Sequence, residues 1–169
     1  MTDPFSFAVE YVIQNEGGYS DHPDDRGGST KWGITRSTAH EYGLDFEQLT
    51  MAQARSIYRD SYWMFDAIKD RRLAAKMLDV VVNFGKAGGT RVLQKACGAD
   101  VDGIYGPETG RRLTNAATDD MLERIAVAAA DRYIDIVKAA PTQLVFLKGW
   151  IRRSIRQPAR RFPEQPVEG

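Results

Sequence analysis

Residues 15–35 read NEGGYSDHPDDRGGSTKWGIT. These 21 residues hold four carboxylates (Glu16, Asp21, Asp24 and Asp25), five glycines, Tyr19 and Trp32. Paired glycines and a proline do not continue a helix, and a plain solvated loop has little use for a tyrosine and a tryptophan. The stretch reads as a turn-rich insert, with room for a small β-hairpin, directly behind a helix.

That helix lies just upstream. Asp3-Pro4 is an N-cap followed by proline at the first helical position. Phe5, Val9, Val12, Ile13 and Glu16 recur on one face, and Gly17-Gly18 ends the run. Glu16 is thereby expected on the apolar face, at the C-terminal end. Burial disfavours a charged carboxylate, and the partial negative charge of a helix C-terminus disfavours it further. Both effects keep a proton on Glu16, whereas Asp21, Asp24 and Asp25, in an open glycine-rich segment, stay ionised. One protonated and one ionised carboxyl group suit glycoside hydrolysis. The first protonates the leaving oxygen, and the second directs water or stabilises positive charge at the anomeric carbon. The residue pattern taken alone is equally that of a solvated helix end followed by turns.

Further along, the pattern is helical throughout. A helix is expected from Thr35 to Tyr42, ending at Gly43. Thr50-Met-Ala-Gln53 has capping-box form and opens another to about Trp63. Asp70 caps a third, which ends near Asn83-Phe84-Gly85, and Gly88-Gly89 precedes a short helix with Val92, Leu93 and Ala96. Residues 98–109, GADVDGIYGPET, form a compact loop; Asp100, Asp102 and Gly103 lack the spacing of a calcium loop. Residues 119–138 form the clearest long helix, and Pro141 breaks it. A last amphipathic helix puts Leu144, Leu147, Ile151 and Ile155 on one side and arginines on the other.

The opening stretch resembles the Glu-Gly-Gly-Tyr signature and following loop of glycoside hydrolase family 108, N-acetylmuramidases of the lysozyme-like superfamily. The matching residues are Glu16-Gly17-Gly18-Tyr19, Asp25, Gly27-Gly28, Thr30 and Gly33-Ile34-Thr35. The segments SIYRDSYW (56–63) and LDVVVNFG (78–85) are similar to later parts of that family. VLQKACGADVDGIYGPET (92–109) resembles the peptidoglycan-binding-like region that follows in such proteins. The chain departs from the pattern at His22, Arg26 and Lys31-Trp32, which bears on Asp25 more than on Glu16.

The resemblance implies a mainly α, lysozyme-like, two-lobed fold. Residues 1–88 would be the lysozyme-like catalytic segment, and residues 89–162 a peptidoglycan-binding-like helical segment packed as the second lobe of one globular unit. Residues 163–169 would be a loose tail. It also implies hydrolysis of the β-1,4 bond between N-acetylmuramic acid and N-acetylglucosamine. Glu16 would be the general acid, Asp25 would position or activate water, and Thr30 would hydrogen-bond that water; Asp25 follows Glu16 by nine residues and Thr30 follows Asp25 by five. Carboxyl groups about 6.5–9.5 Å apart would give inversion, and about 5–5.5 Å retention. Candidate substrate contacts are Tyr19 (cleft or core), Asp21, Trp32, and a cleft-facing stripe of Asp79 and Asn83, four apart on one helical face. Trp63 is expected in the core. The alternatives are a lytic transglycosylase using Glu16 alone, or a non-catalytic peptidoglycan-binding phage component.

Composition narrows the partners. Lys+Arg and Asp+Glu both number 23, which gives no case for nucleic acid. No acidic residue occurs from Ile136 to Pro163, so the basic C-terminal helix is a candidate contact for anionic envelope polymers or lipid headgroups. Cys97 is the sole cysteine, excluding an intrachain disulfide, and with His22 and His40 the only histidines no zinc site is expected. The expectation is a monomer that needs no cofactor or metal and acts on bacterial peptidoglycan. No basic stretch and apolar run opens the sequence. The expected route is synthesis in a host cytoplasm and release through a holin, as for a phage endolysin, to the periplasm or cell wall.

Overall fold

The structure, a computed structural model, describes residues 3–16, 19–20 and 30–159, with backbone only at Glu16, Tyr19 and Ser20. Its elements are helix α1 (Pro4–Glu16), strands β1 (Tyr19–Ser20), β2 (Thr30–Lys31) and β3 (Ile34–Thr35), and helices α2 (Arg36–Glu41) and α3 (Met51–Ser61). Then come α4 (Arg71–Cys97), α5 (Pro107–Leu113), α6 (Thr118–Ala139), a 3₁₀ turn at Pro141–Gln143, and α7 (Leu144–Ile155). The architecture is mainly α, and the expected hairpin is present as part of a three-stranded antiparallel sheet in the order β1-β2-β3.

Capping residues set the helix starts. The Ser6 amide donates to Asp3 Oδ1 at 3.1 Å. Thr50 and Gln53 form a reciprocal capping box. Asp70 Oδ1 accepts from the amides of Arg72 and Leu73 at 2.9 and 3.0 Å. Each satisfies amides that the first helical turn leaves unpaired.

α1 packs along α4, and α4 along α6. In its first half α4 is buried without interruption from Leu73 to Val81. A helix apolar on every side occupies the centre of a fold, and α4 is that centre. Two of its buried residues, Lys76 and Asp79, are charged, and they connect it to α1 and α7. Trp63 packs edge-to-face on Phe5 and Phe65, with ring centroids 5.1 and 5.5 Å apart.

α4 is one element broken at Gly85, where φ is 73° and ψ is 164°. Helix resumes at once, so Gly88 and Gly89 lie inside the second half instead of preceding it, as the sequence had suggested. A Cβ on Gly89 would lie 2.5 Å from Val81 Cα. In a straight helix residues eight apart are about 12 Å apart, so the chain turns sharply at Gly85, and Gly89 lets the two halves touch.

The last helix keeps only part of the face expected from the sequence. Leu147 and Ile151 are half-buried, but Leu144 and Ile155 are exposed, at 60% and 61%, while Phe146, Trp150 and Arg153 also face inward. The aromatic rings pack where a purely aliphatic face was expected: Trp150 stacks on Tyr133 at 5.0 Å, and Phe146 on Trp150 at 5.7 Å. Arg153 turns in because a buried carboxylate waits there.

Candidate active site

Helix α1 ends at Glu16, as the following glycines require, and β1 begins three residues later. Ser20 pairs with Thr30, and Tyr19 with Lys31. Neighbouring strands lie about 5 Å apart, so the strand that leaves Glu16 runs beside the strand carrying Thr30. Lys31 in turn pairs with Ile34 across the two-residue turn Trp32-Gly33. Both turn residues are left-handed, with φ of 56° and 75°. This is the type I′ form whose twist suits a hairpin.

Glycine adopts that conformation freely, but a tryptophan is strained in it by roughly 1–3 kcal/mol. The Trp32 carbonyl is fixed from below by the buried Tyr58, whose hydroxyl donates to it at 3.0 Å. The indole is half-buried against the core, and its Nε1 has no hydrogen-bond partner among the described residues. Strain of this kind is commonly held at functional sites.

Among the expected site residues, Thr30 and Trp32 are therefore described in full, in the hairpin behind α1. The backbones of Glu16 and Tyr19 are placed at the helix end and in β1, while their side chains lie outside the described residues. Asp21 and Asp25, with Asp24, also lie outside them, in the connection between β1 and β2.

Asp79 and Asn83 do not form one cleft-facing stripe. Asp79 is 2% exposed, and its Oδ1 accepts from Arg153 Nε and Nη2 at 3.1 and 2.9 Å and from Asn15 Nδ2 at 3.2 Å. Asn83, one turn on, is exposed and donates to the hydroxyl of Tyr133. The surface of the central helix emerges between them. Asp79 is therefore a buried group and not part of an exposed stripe.

Sequence reasoning missed the group around Asp79. Lys76 Nζ donates to the carbonyls of Arg153, Ser154 and Arg156 at 3.2, 2.7 and 2.9 Å. It thereby serves carbonyls at and just beyond the C-terminus of α7, where intrahelical donors run out. Tyr11 Oη donates to the Arg156 carbonyl at 2.9 Å, and Arg156 Nη1 to Asn15 Oδ1 at 2.9 Å. Burial pulls the Lys76 ammonium down to about 8, with the Asp79 carboxylate opposing the shift. Burial, followed by Asp79, pushes the Tyr11 hydroxyl up to about 12. A signal existed: Lys76 and Asp79 are three apart, hence on one helical face, inside an apolar run.

The loop after α4 is held by Gln94, whose Nε2 donates to Asp102 Oδ1 at 2.6 Å and whose Oε1 accepts from the Gly103 amide at 2.9 Å. Cys97, read as a small buried residue, is half-buried; its thiol donates to the Gln94 carbonyl, and burial raises its pKa.

Two families match the chain in tandem. Glycosyl hydrolase 108 matches residues 9–85, and the family described as "Predicted Peptidoglycan domain" matches residues 88–155. The break at Gly85 falls where the first span ends. No curated protein matches the chain. Among solved structures, that of Brucella abortus SagA is similar at 32% identity and a TM-score of 0.73, over 89% of this chain and 88% of that one. Since the likeness spans nearly the whole of both chains, and the family match covers the helix end, the hairpin and the first half of the central helix, the chain belongs to the glycosyl hydrolase 108 family: it is a peptidoglycan hydrolase with a mainly α, lysozyme-like fold.

Proposed function

We propose that the chain is an N-acetylmuramidase that cleaves the β-1,4 bond between N-acetylmuramic acid and N-acetylglucosamine. Glu16 is the general acid, Asp25 positions or activates the attacking water, and Thr30 hydrogen-bonds that water. The observation that carries the reading is the placement of Glu16 as the last residue of α1, with the next strand paired to the strand of Thr30. The helix C-terminus carries partial negative charge and favours the protonated carboxyl group. A carboxylic acid that keeps its proton near neutral pH is what protonation of a glycosidic oxygen requires.

Tyr19, Asp21, Trp32 and Asn83 are assigned to substrate contact, and Asp79 to support of that surface from inside. Residues 1–88 and 89–162 are read as two lobes of one unit, with 163–169 as a tail. The outward face of α7, with Leu144, Val145 and Ile155 beside Lys148 and Arg152, suits contact with anionic envelope polymers. Peptidoglycan lies outside the cytoplasmic membrane, so the reading includes release through a holin, as for a phage endolysin.

The test is Glu16→Gln, which preserves shape and removes the transferable proton. Lysis of outer-membrane-stripped cells is expected to disappear while sedimentation with purified peptidoglycan survives. Undiminished lysis would remove Glu16 from its role. Mass spectrometry of the parent digest should show reducing muramic acid ends; 1,6-anhydromuramic ends would make the enzyme a lytic transglycosylase.

A further inference from the structure

Asn15 directly precedes the proposed acid, and both ends of its side-chain amide are held. Its Nδ2 donates to Asp79 Oδ1 at 3.2 Å, and its Oδ1 accepts from Arg156 Nη1 at 2.9 Å. The holders are fixed in turn. Asp79 sits in the buried half of α4 and is gripped by two nitrogens of Arg153. The Arg156 carbonyl accepts from Tyr11 on α1 and from Lys76 on α4. A closed circuit of hydrogen bonds thus joins the end of α1, the middle of α4 and the end of α7.

Its place matters. The last turn of a helix has carbonyls without intrahelical partners and tends to fray, and here Gly17-Gly18 follow at once. A general acid on such a turn would wander, yet displacement by about 1 Å can lower a rate about 100-fold. The turn carrying Glu16 is the one that the circuit braces.

We propose that Asn15 is a positioning residue for Glu16: pinned between Asp79 of α4 and Arg156 beyond α7, it fixes the last turn of α1 and so the place from which the proton is delivered. The proposal rests on the assignment of Glu16 as the acid. It gives the C-terminal segment a share in the active site, because Arg153 and Arg156 close the circuit. Among the described residues, the charged and titratable groups facing Asn15 and its holders include Tyr11 from α1, Lys76 and Asp79 from α4, and Arg153 and Arg156 from α7 and its end.

The experiment uses the full chain and soluble peptidoglycan fragments, with kcat, KM and thermal melting measured together. Asn15→Ala is expected to lower kcat about 10- to 100-fold, with KM within about twofold and sedimentation with sacculi unchanged. Arg156→Gln removes one of the two holds at an exposed position and should lower kcat several-fold, which keeps the test open if Asn15→Ala does not fold. Asn15→Asp sets two carboxylates against each other and should be the slowest single variant. Adding Asp79→Asn reverses the polarity of that hydrogen bond and should restore kcat several-fold over Asn15→Asp.

Unchanged kcat in Asn15→Ala or in Arg156→Gln, or losses that vanish once corrected for folded fraction, would overturn the proposal. Glu16→Gln separates the two ideas. If it is inactive while Asn15→Ala is fully active, only the positioning role fails; if it is active, the assignment of the acid fails first.

Discussion

Replacing Gly85 with alanine tests the sharp turn inside α4, on which the meeting of its two halves depends. At φ 73° and ψ 164°, Gly85 occupies a region that is essentially closed to residues with a Cβ. An added Cβ would meet no heavy atom within 4 Å, so the whole penalty is backbone strain, not collision. That strain is roughly 1–3 kcal/mol. Alanine also stiffens the unfolded chain, which returns about 0.4–1 kcal/mol. The net loss is about 1–2 kcal/mol, or about 2–8 °C in Tm for a chain of this size.

Urea unfolding followed by circular dichroism measures it, beside two neighbours that should behave differently. At Gly88 a Cβ finds only Phe84 Cβ, at 3.4 Å, and helix propensity favours alanine, so Gly88→Ala should stabilise by about 0.5–1 kcal/mol. At Gly89 the Cβ would lie 2.5 Å from Val81 Cα and 2.9 Å from the Val80 carbonyl oxygen, backbone atoms that cannot step aside. Gly89→Ala should therefore be the most destabilised of the three. A Gly85→Ala protein as stable as its parent would refute the reasoning, since the chain would then not hold the left-handed turn.

Two further outcomes concern caps and charge. Asp70 accepts two amides of α4 and, through Oδ2, the hydroxyl of Thr118 at 2.9 Å, so Asp70→Ala should lose about 1–2 kcal/mol in chemical denaturation while Asp70→Asn, an equally good cap, loses less. Lys76, with its pKa held down to about 8, binds fewer protons folded than unfolded between pH 8 and its ordinary value near 10.4, so unfolding free energy should rise with pH across that window. The gain is on the order of 3 kcal/mol at most, and Lys76→Met should abolish it. Tyr11 acts in the opposite sense: its pKa is raised to about 12, so the folded state retains a proton that the unfolded state loses, and stability falls above about pH 10.

What the sequence determined is what short-range chemistry determines. Asp3, Thr50 and Asp70 announce helix starts because a cap needs only the next three amides. Glu16 is at a helix end because two glycines follow, and the glycine-rich, turn-forming stretch behind it left room for a hairpin. The ordered series from Glu16 to Thr35 was enough to imply the family. The direction of α7 was not readable in this way. Its apolar and cationic residues leave two faces that can turn inward, and the choice falls to a carboxylate 74 residues away, buried on the central helix, that Arg153 reaches in the folded chain. The same holds for Lys76, whose partners are carbonyls 77 to 80 residues on, and for the separation of Asp79 from Asn83. Periodicity says which residues share a face. Only the packing of α1, α4 and α7 says where that face dips below the surface, because burial depends on what covers a residue and the covering elements come from distant parts of the chain.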